Sequence, residues 1–325
     1  MIHYILRRLA YGLFILIGVN LFTFVLFFAV NTPDDMARMN IGGKRVSQDA
    51  IEKWKVEHGY DKPLFWNDPS PGARKFTNTI FFERSVQLFA FDFGPSDSGR
   101  DIGYELRQRV GPSVALAIPT FVLGIFVVIA YSLLMVFFRN TYLEFWGFAL
   151  AVFLMSISAL FYILLGQFFF SKVLKLVPIS GFSGGWGLLI FLVLPIAIGI
   201  VSRLGGEALF YRTMFLEEIG KDYVRTARAK GLAETAVLFR HVLPNALLPI
   251  LTSTVAVLPL LFLGALIMES FFGIPGLGSY TIEAINAQDF AIVRSMVFVG
   301  SVLYIIGLIL TDISYTVADP RIRLS

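Results

Sequence analysis

The chain has 325 residues, 56% of them hydrophobic and only 15% charged, with a formal net charge of +4. Soluble domains average about a quarter charged residues, so this apolar excess calls for lipid as solvent. Basic loops beside a membrane explain the positive balance without any nucleic acid. The sequence contains no cysteine, and His3, His58 and His241 are scattered without ligand spacing. Disulfides and thiolate sites are therefore excluded, and neither a metal nor a cofactor is expected.

A membrane-spanning helix needs about 20 mainly apolar residues. Charge-free windows meet or approach that length at Leu9–Pro33, Val110–Phe138, Phe145–Ser171, Leu176–Ser202, Val242–Met268 and, shorter, Ser295–Thr311. The first follows Arg7 and Arg8, but it is longer than a signal-sequence core and no Ala-x-Ala site follows it, so it reads as an uncleaved span. Pro112 and Pro119 should lie in or near the first turns of the second span. The glycines before Trp186 should delay the start of the fourth to about that residue, and the sixth should extend past Asp312 towards Val317.

Between the first and second spans lies a long polar segment, residues 31–109. Gln48–Tyr60 reads as a short helix with Ser47 as N-cap and Gly59 as its stop, and Phe76–Phe91 as a second, more apolar helix. With six crossings, Arg7, Arg8, Arg139, the cluster from Arg203 to Arg240, Arg321 and Arg323 share one side. The positive-inside rule then puts both termini in the cytoplasm and residues 31–109 outside.

The long loop on the basic side, residues 205–245, carries Asp222-Tyr-Val-Arg-Thr-Ala-Arg-Ala-Lys-Gly231 and then His241-Val-Leu-Pro-Asn245. Val224–Lys230 reads as a short helix stopped by Gly231 in the left-handed region. A second helix, Ala233–Val242, should end before Pro244. Small residues Thr226, Ala227 and Ala229, ringed by Arg225, Arg228 and Lys230, form a compact knob suited to a groove on a partner protein.

These residues resemble a known family. Permeases of ABC importers carry a cytoplasmic motif E-A-A-x3-G-x9-I-x-L-P that docks into the ATPase. Here Arg225-Thr226-Ala227 stands at the triplet, Gly231 at the glycine, His241 at the isoleucine and Leu243-Pro244 at the terminal pair. Two triplet positions depart from the general pattern. The segment from Asp222 to Leu232 is similar to the version found in the dipeptide, oligopeptide and nickel branch. Tyr4-Ile-Leu-Arg-Arg-Leu9, Phe272-Gly-Ile-Pro-Gly-Leu-Gly278 with Ala284-Ile285 and Asp289, and Asp312 to Arg323 match the same branch.

The resemblance implies an all-α integral membrane protein of the inner membrane. It would have six transmembrane helices, a type I importer permease core in residues 110–325, and a long extracytoplasmic segment after the first helix. It also implies a second permease subunit, two cytoplasmic ABC ATPase subunits, an extracytoplasmic substrate-binding protein and surrounding lipid as partners. Peptides or similar small solutes would be carried. Tyr223, Arg225, Thr226, Ala227, Arg228, Lys230, Gly231, Leu232, His241, Leu243 and Pro244 would form the ATPase-coupling loop. Pro275, Gly276, Leu277, Gly278 and Asp289 would form a loop at the outer mouth.

Other residues have blander readings. Arg212 should meet either the same partner or lipid phosphate. Asp312 should cap or pair with Arg321 or Arg323 at the interface, Glu269 should lie at the outer interface, and Lys172 and Lys175 should anchor there. Gly42-Gly-Lys-Arg45 lacks the upstream glycine and the Ser/Thr of a P-loop, and no Gly-x-Ser-x-Gly or His-Glu-x-x-His occurs, so the chain is not expected to be an enzyme. An ion-coupled secondary transporter or channel is the alternative. It would require charge at the helix centres, where almost none is visible.

Overall fold

The computed structural model describes residues 2–42, 46–68, 70–72, 74–255 and 265–318. They are helical, apart from loops and one isolated bridge between Pro95 and Asp101. The chain divides into two compact units, Met1–Gly111 with Gly276–Ile306, and Pro112–Pro275 with Gly307–Ser325.

In the first unit α1 runs Ile2–Val30. A helix that the sequence reading missed follows it, α2 (Pro33–Ile41). Its start was legible: Thr32 and Asp35 form a reciprocal capping box with Pro33 at the first turn. The expected α3 is present as Gln48–His58, with Ser47 accepting from the Ala50 amide and Gly59 at φ +70°. Phe76–Phe91 is not the single helix expected. A turn of helix, α4 (Arg74–Thr77), is followed by a π turn at Phe82–Val86 and a 3-10 turn at Gln87–Ala90. The amides of Ile80 and Phe81 donate instead to the carbonyls of Pro63 and Leu64, which diverts the backbone from a regular ladder. The core beneath joins Phe24, Phe28, Met36, Ile51, Trp54 and Tyr60, with Trp54 stacked on both His58 and Tyr60.

Helix α5 (Ile102–Phe137) begins well before the expected residue 110, because Asp101 accepts from the Tyr104 amide and caps it. Pro112 and Pro119 consequently lie inside the helix rather than in its first turns. In the second unit α6 (Tyr142–Met155) and α7 (Ala159–Gly166), the latter continued by a π stretch to Val173, form one apolar pair bent by 93°. Helix α8 (Leu188–Ile219) starts after a 3-10 turn at Gly185–Gly187, as the glycines implied. It runs without a break through residues 205–219, where the charges predict a loop.

The region expected to carry the coupling loop contributes α9 (Asp222–Ala229) and α10 (Glu234–Val237), then a π turn, Leu238–Val242, and α11 (Leu243–Val255). The last three are continuous, so the helix does not end before Pro244. The widened turn accommodates the proline, which has no N–H to offer the preceding turn. After residues outside the described set come α12 (Leu266–Phe272), α13 (Leu277–Asn286) and α14 (Phe290–Ala318), the last reaching past Asp312 as expected.

Among the described residues four helices are long and apolar enough to cross a membrane: Leu6–Val30, Ile102–Phe137, Leu188–Ile219 and Phe290–Ile313. The bent α6–α7 pair makes a fifth if it counts as one span. The expected Val242–Met268 span includes residues 256–264, outside the described set.

Candidate functional site

The segment expected to couple to an ATPase is built on an apolar seam. Val224 and Ala227, three residues apart on α9, are buried with Tyr211 and Phe215 of α8 and Val237, Leu238 and Val242 beyond. Ala227, expected on the docking knob, thus faces the chain's own core. The opposite face of α9 carries Arg225 and Thr226, both exposed.

Gly231 closes this helix. At φ +79° it allows the Gly231 amide to reach the Arg228 carbonyl at 2.9 Å and the Leu232 amide to reach that of Ala227 at 3.4 Å. These are the paired bonds of a Schellman stop. Lys230, Gly231 and Leu232 are exposed along the turn.

Two ion clusters hold the turn in place. Arg228 grips Glu234 with two bonds, Nε to Oε2 at 3.0 Å and Nη2 to Oε1 at 2.7 Å, while Arg139 lies 3.6 Å from the same carboxylate. Arg228 therefore braces the loop rather than standing free on its rim. Its guanidinium holds the Glu234 carboxyl below the usual range, and the carboxylate raises the arginine in return. At the end of α8, Glu218 accepts from Lys221 Nζ and from the Tyr223 hydroxyl. Burial, then the Glu218 carboxylate, pushes the Tyr223 phenol far above its ordinary range. His241 and Leu243 are half-buried, Pro244 is exposed, and the Asn245 side chain donates to the His241 carbonyl. Arg212, expected to meet a partner or lipid, is engaged by Glu144 of α6 and lies over the Phe148 ring.

The loop expected at the outer mouth is a turn between short helices. Pro275 is exposed, whereas Gly276, Leu277 and Gly278 are buried, and the Gly276 amide donates to Ser279 Oγ at 3.0 Å. Asp289 sits beneath the surface at the start of α14. It accepts from the amides of Asp97 at 3.2 Å, Ile292 at 3.3 Å and Ser98 at 3.4 Å. Asp97 returns the contact by accepting from the Ala291 amide, and it also takes the Tyr60 hydroxyl at 3.0 Å. Burial, then the neighbouring Asp97, raises the Asp289 carboxyl, and burial pushes the Tyr60 phenol up to about 12.

Arg294 is buried in α14. Its guanidinium lies 3.4 Å from the Tyr60 hydroxyl and over the Phe28 ring. Sequence reasoning found Asp289 but not Asp97, Tyr60 or Arg294, whose roles depend on pairings between residues far apart in the chain. Glu269 is fully buried rather than interfacial, accepting from Ser113 Oγ at 2.7 Å. Lys172 lies over the Phe168 ring, and Lys175 takes φ +53°. Asp312 is half-buried, while Arg321 and Arg323 lie outside the described residues.

Residues 112–324 match the family described as the inner membrane component of binding-protein-dependent transport systems. Residues 1–91 match the N-terminal family of the same membrane components. The chain belongs to this transport family. It is similar to a putative peptide transport system permease protein of Brucella abortus (strain 2308), 30% identical over 98% of each chain. A putative peptide permease protein of Brucella suis biovar 1 (strain 1330) is 31% identical over the full length of both. The dipeptide transport system permease protein DppB of Bacillus subtilis (strain 168) is 33% identical over 75% of this chain and 78% of its own length. The chain is accordingly a multi-pass membrane component of a binding-protein-dependent importer, of the peptide branch of ABC permeases. It is a transport subunit rather than an enzyme.

Proposed function

We propose that this permease forms half of a peptide pathway and transmits the strokes of cytoplasmic ATPase subunits through the segment Asp222–Pro244. The observation that carries this reading is the Gly231 stop. It leaves Arg225, Thr226, Lys230 and Leu232 exposed on a turn whose underside is packed and ion-paired into the chain. A rigid base with an exposed, mostly polar rim suits a groove on a partner. In this reading the chain crosses the membrane six times, with both termini and the coupling segment in the cytoplasm. Residues 31–109 lie outside, and the Pro275–Gly278 turn faces a substrate-binding protein. A second permease of the same family completes the pathway, and each permease docks one ATPase.

Affinity purification of the tagged chain from its native membrane tests this. Co-purification of a P-loop ATPase and a second permease is expected. A chain that transports after reconstitution alone, without ATP, would instead be an ion-coupled carrier or channel.

A further inference from the structure

Besides the ion pairs of the segment Asp222–Pro244 and the Arg212–Glu144 contact, the second unit carries another pair. Arg203 and Glu207 lie one turn apart on α8, joined at 2.8 Å from Nε to Oε1. Arg203 is about 23 Å along the helix from Leu188 at 1.5 Å per residue. That is short of the roughly 30 Å of hydrocarbon a span must cross. Charges at such depth are costly facing lipid and are normally turned to a bundle interior or a watered cavity.

A cavity of about 150 Å³ lies against the pair, between α5, α8 and α11. Its polar lining comes from Thr120, Arg203, Glu207, Tyr211, Ser253 and Thr254. Small residues shape it: Gly199 brings α8 so close to α5 that a Cβ there would stand 2.7 Å from Thr120 Cγ2. The hydroxyl protons of Thr120 and Ser253 are spent on carbonyls of their own helices, at 2.7 and 2.8 Å. Tyr211 and Thr254 bond to each other at 3.0 Å. The hydroxyl oxygens therefore remain as acceptors around a cationic and an anionic group.

We infer that this cavity is a way-station on the pathway that holds the end groups of a short zwitterionic peptide. Arg203 takes the carboxylate in a bidentate grip, and Glu207 takes the ammonium or a backbone N–H. At about 150 Å³ the cavity far exceeds the roughly 10–15 Å³ that a single water needs, enough for one peptide end. The inner pair closes on itself when the site is empty, which limits the cost of two unpaired charges. The inference rests on the reading of the chain as a peptide permease.

The test uses the complete importer in liposomes, with its binding protein outside, ATP within and a radiolabelled tripeptide. If the wild-type complex takes up no tripeptide, the peptide reading itself fails. Given uptake, the double variant Arg203→Glu with Glu207→Arg keeps an ion pair but exchanges its ends. At least tenfold lower uptake is expected from a variant whose subunits still co-elute, and uptake at the wild-type rate would overturn the inference. A second measurement needs no variant: the wild-type complex is irradiated with a diazirine-bearing tripeptide. Label within 199–211 of α8 or at Ser253–Thr254 is expected, and label confined to other segments overturns the site. So does labelling of these residues by a photoactivatable anionic phospholipid that excess tripeptide does not displace.

Discussion

Replacing Gly231 separates backbone from charge in the turn proposed to couple to the ATPase. Its φ of +79° falls where an L-residue with a Cβ is disfavoured by about 1–2 kcal/mol. No heavy atom lies within 4 Å of a Cβ built there, so the cost is conformational and not steric. Gly231→Ala should shift the turn away from its docking form by about 5–30-fold, the equilibrium equivalent of that penalty. Asn and Asp both tolerate the left-handed region better than Ala and have nearly the same shape. Gly231→Asn should therefore retain most coupling, and the difference between Gly231→Asn and Gly231→Asp isolates a negative charge at the contact. The assay is substrate-stimulated ATP hydrolysis and tripeptide uptake in the reconstituted importer. Uptake and stimulation should fall in the order Gly, Asn, Ala, with Asp uncoupled. Wild-type stimulation in Gly231→Ala would refute the conformational argument, and wild-type stimulation in Gly231→Asp would refute docking at this turn.

Three other changes test the surrounding structure. The Glu234 carboxyl is held below its ordinary 4.5 by Arg228, so its contribution is present above that pH and is lost as pH falls through the depressed value. Amide exchange across residues 222–237 should be faster in Glu234→Gln at pH 7, by no more than about 1 kcal/mol for so exposed a pair. The gap should close below pH 4.5, and a gap unchanged to pH 3.5 would contradict the assignment. Gly205→Ala should be severe, because its Cβ would lie 2.2 Å from the Ala151 carbonyl oxygen and 2.8 Å from the Met155 nitrogen. Both are backbone atoms of α6, and overpacking of this kind costs about 1–3 kcal/mol or more, so an unaltered melting temperature in detergent would count against the α6–α8 packing. Tyr60→Phe keeps the stacked ring but removes the donor to the buried Asp97, a loss of about 1.5–3 kcal/mol. Thermal unfolding of that variant should be clearly earlier, and one as stable as wild type would mean that Asp97 is satisfied without the phenol.

What could be read in advance was local chemistry. Ser47 and Gly59 delimited α3, the glycines before Trp186 delayed α8, and a glycine after a run of helix formers marked the Gly231 stop. The capping box at Thr32 belonged to the same class of signal and predicts α2 just as well. What escaped depended on partners distant in sequence. Arg212 has a charge suited to headgroups until Glu144 of α6 is brought beside it. Phe76–Phe91 has helical composition until its amides are claimed by Pro63 and Leu64. Ala227 and Arg225 lie two positions apart on one short helix, and only the packing of Val224 beneath decides which faces outward. Charge patterning also misplaced Arg203 and Glu207. A window that ends at the first charge treats everything after it as loop, whereas the helix continues for seventeen more residues, from Arg203 to Ile219.

That continuity links the two proposals physically. Helix α8 runs from the Arg203–Glu207 pair to Ile219 with no proline in between, and α9 begins three residues later. Its last turns are tied to the coupling segment by Glu218 through Lys221 and Tyr223, and by Tyr211 and Phe215 through the buried face of α9. The separation along the axis is about 24 Å at 1.5 Å per residue. Packed interfaces shift between discrete arrangements rather than deforming smoothly. A displacement of α9 would therefore be carried up α8 as a rigid movement and would arrive at the cavity wall. Pro195, on the far side of the pair, is the position within α8 where the i→i−4 ladder is interrupted and the helix can bend. Such a stroke would move Arg203 and Glu207 against Thr120 on α5, so the site proposed to hold the peptide ends is also the one a coupling stroke would reshape.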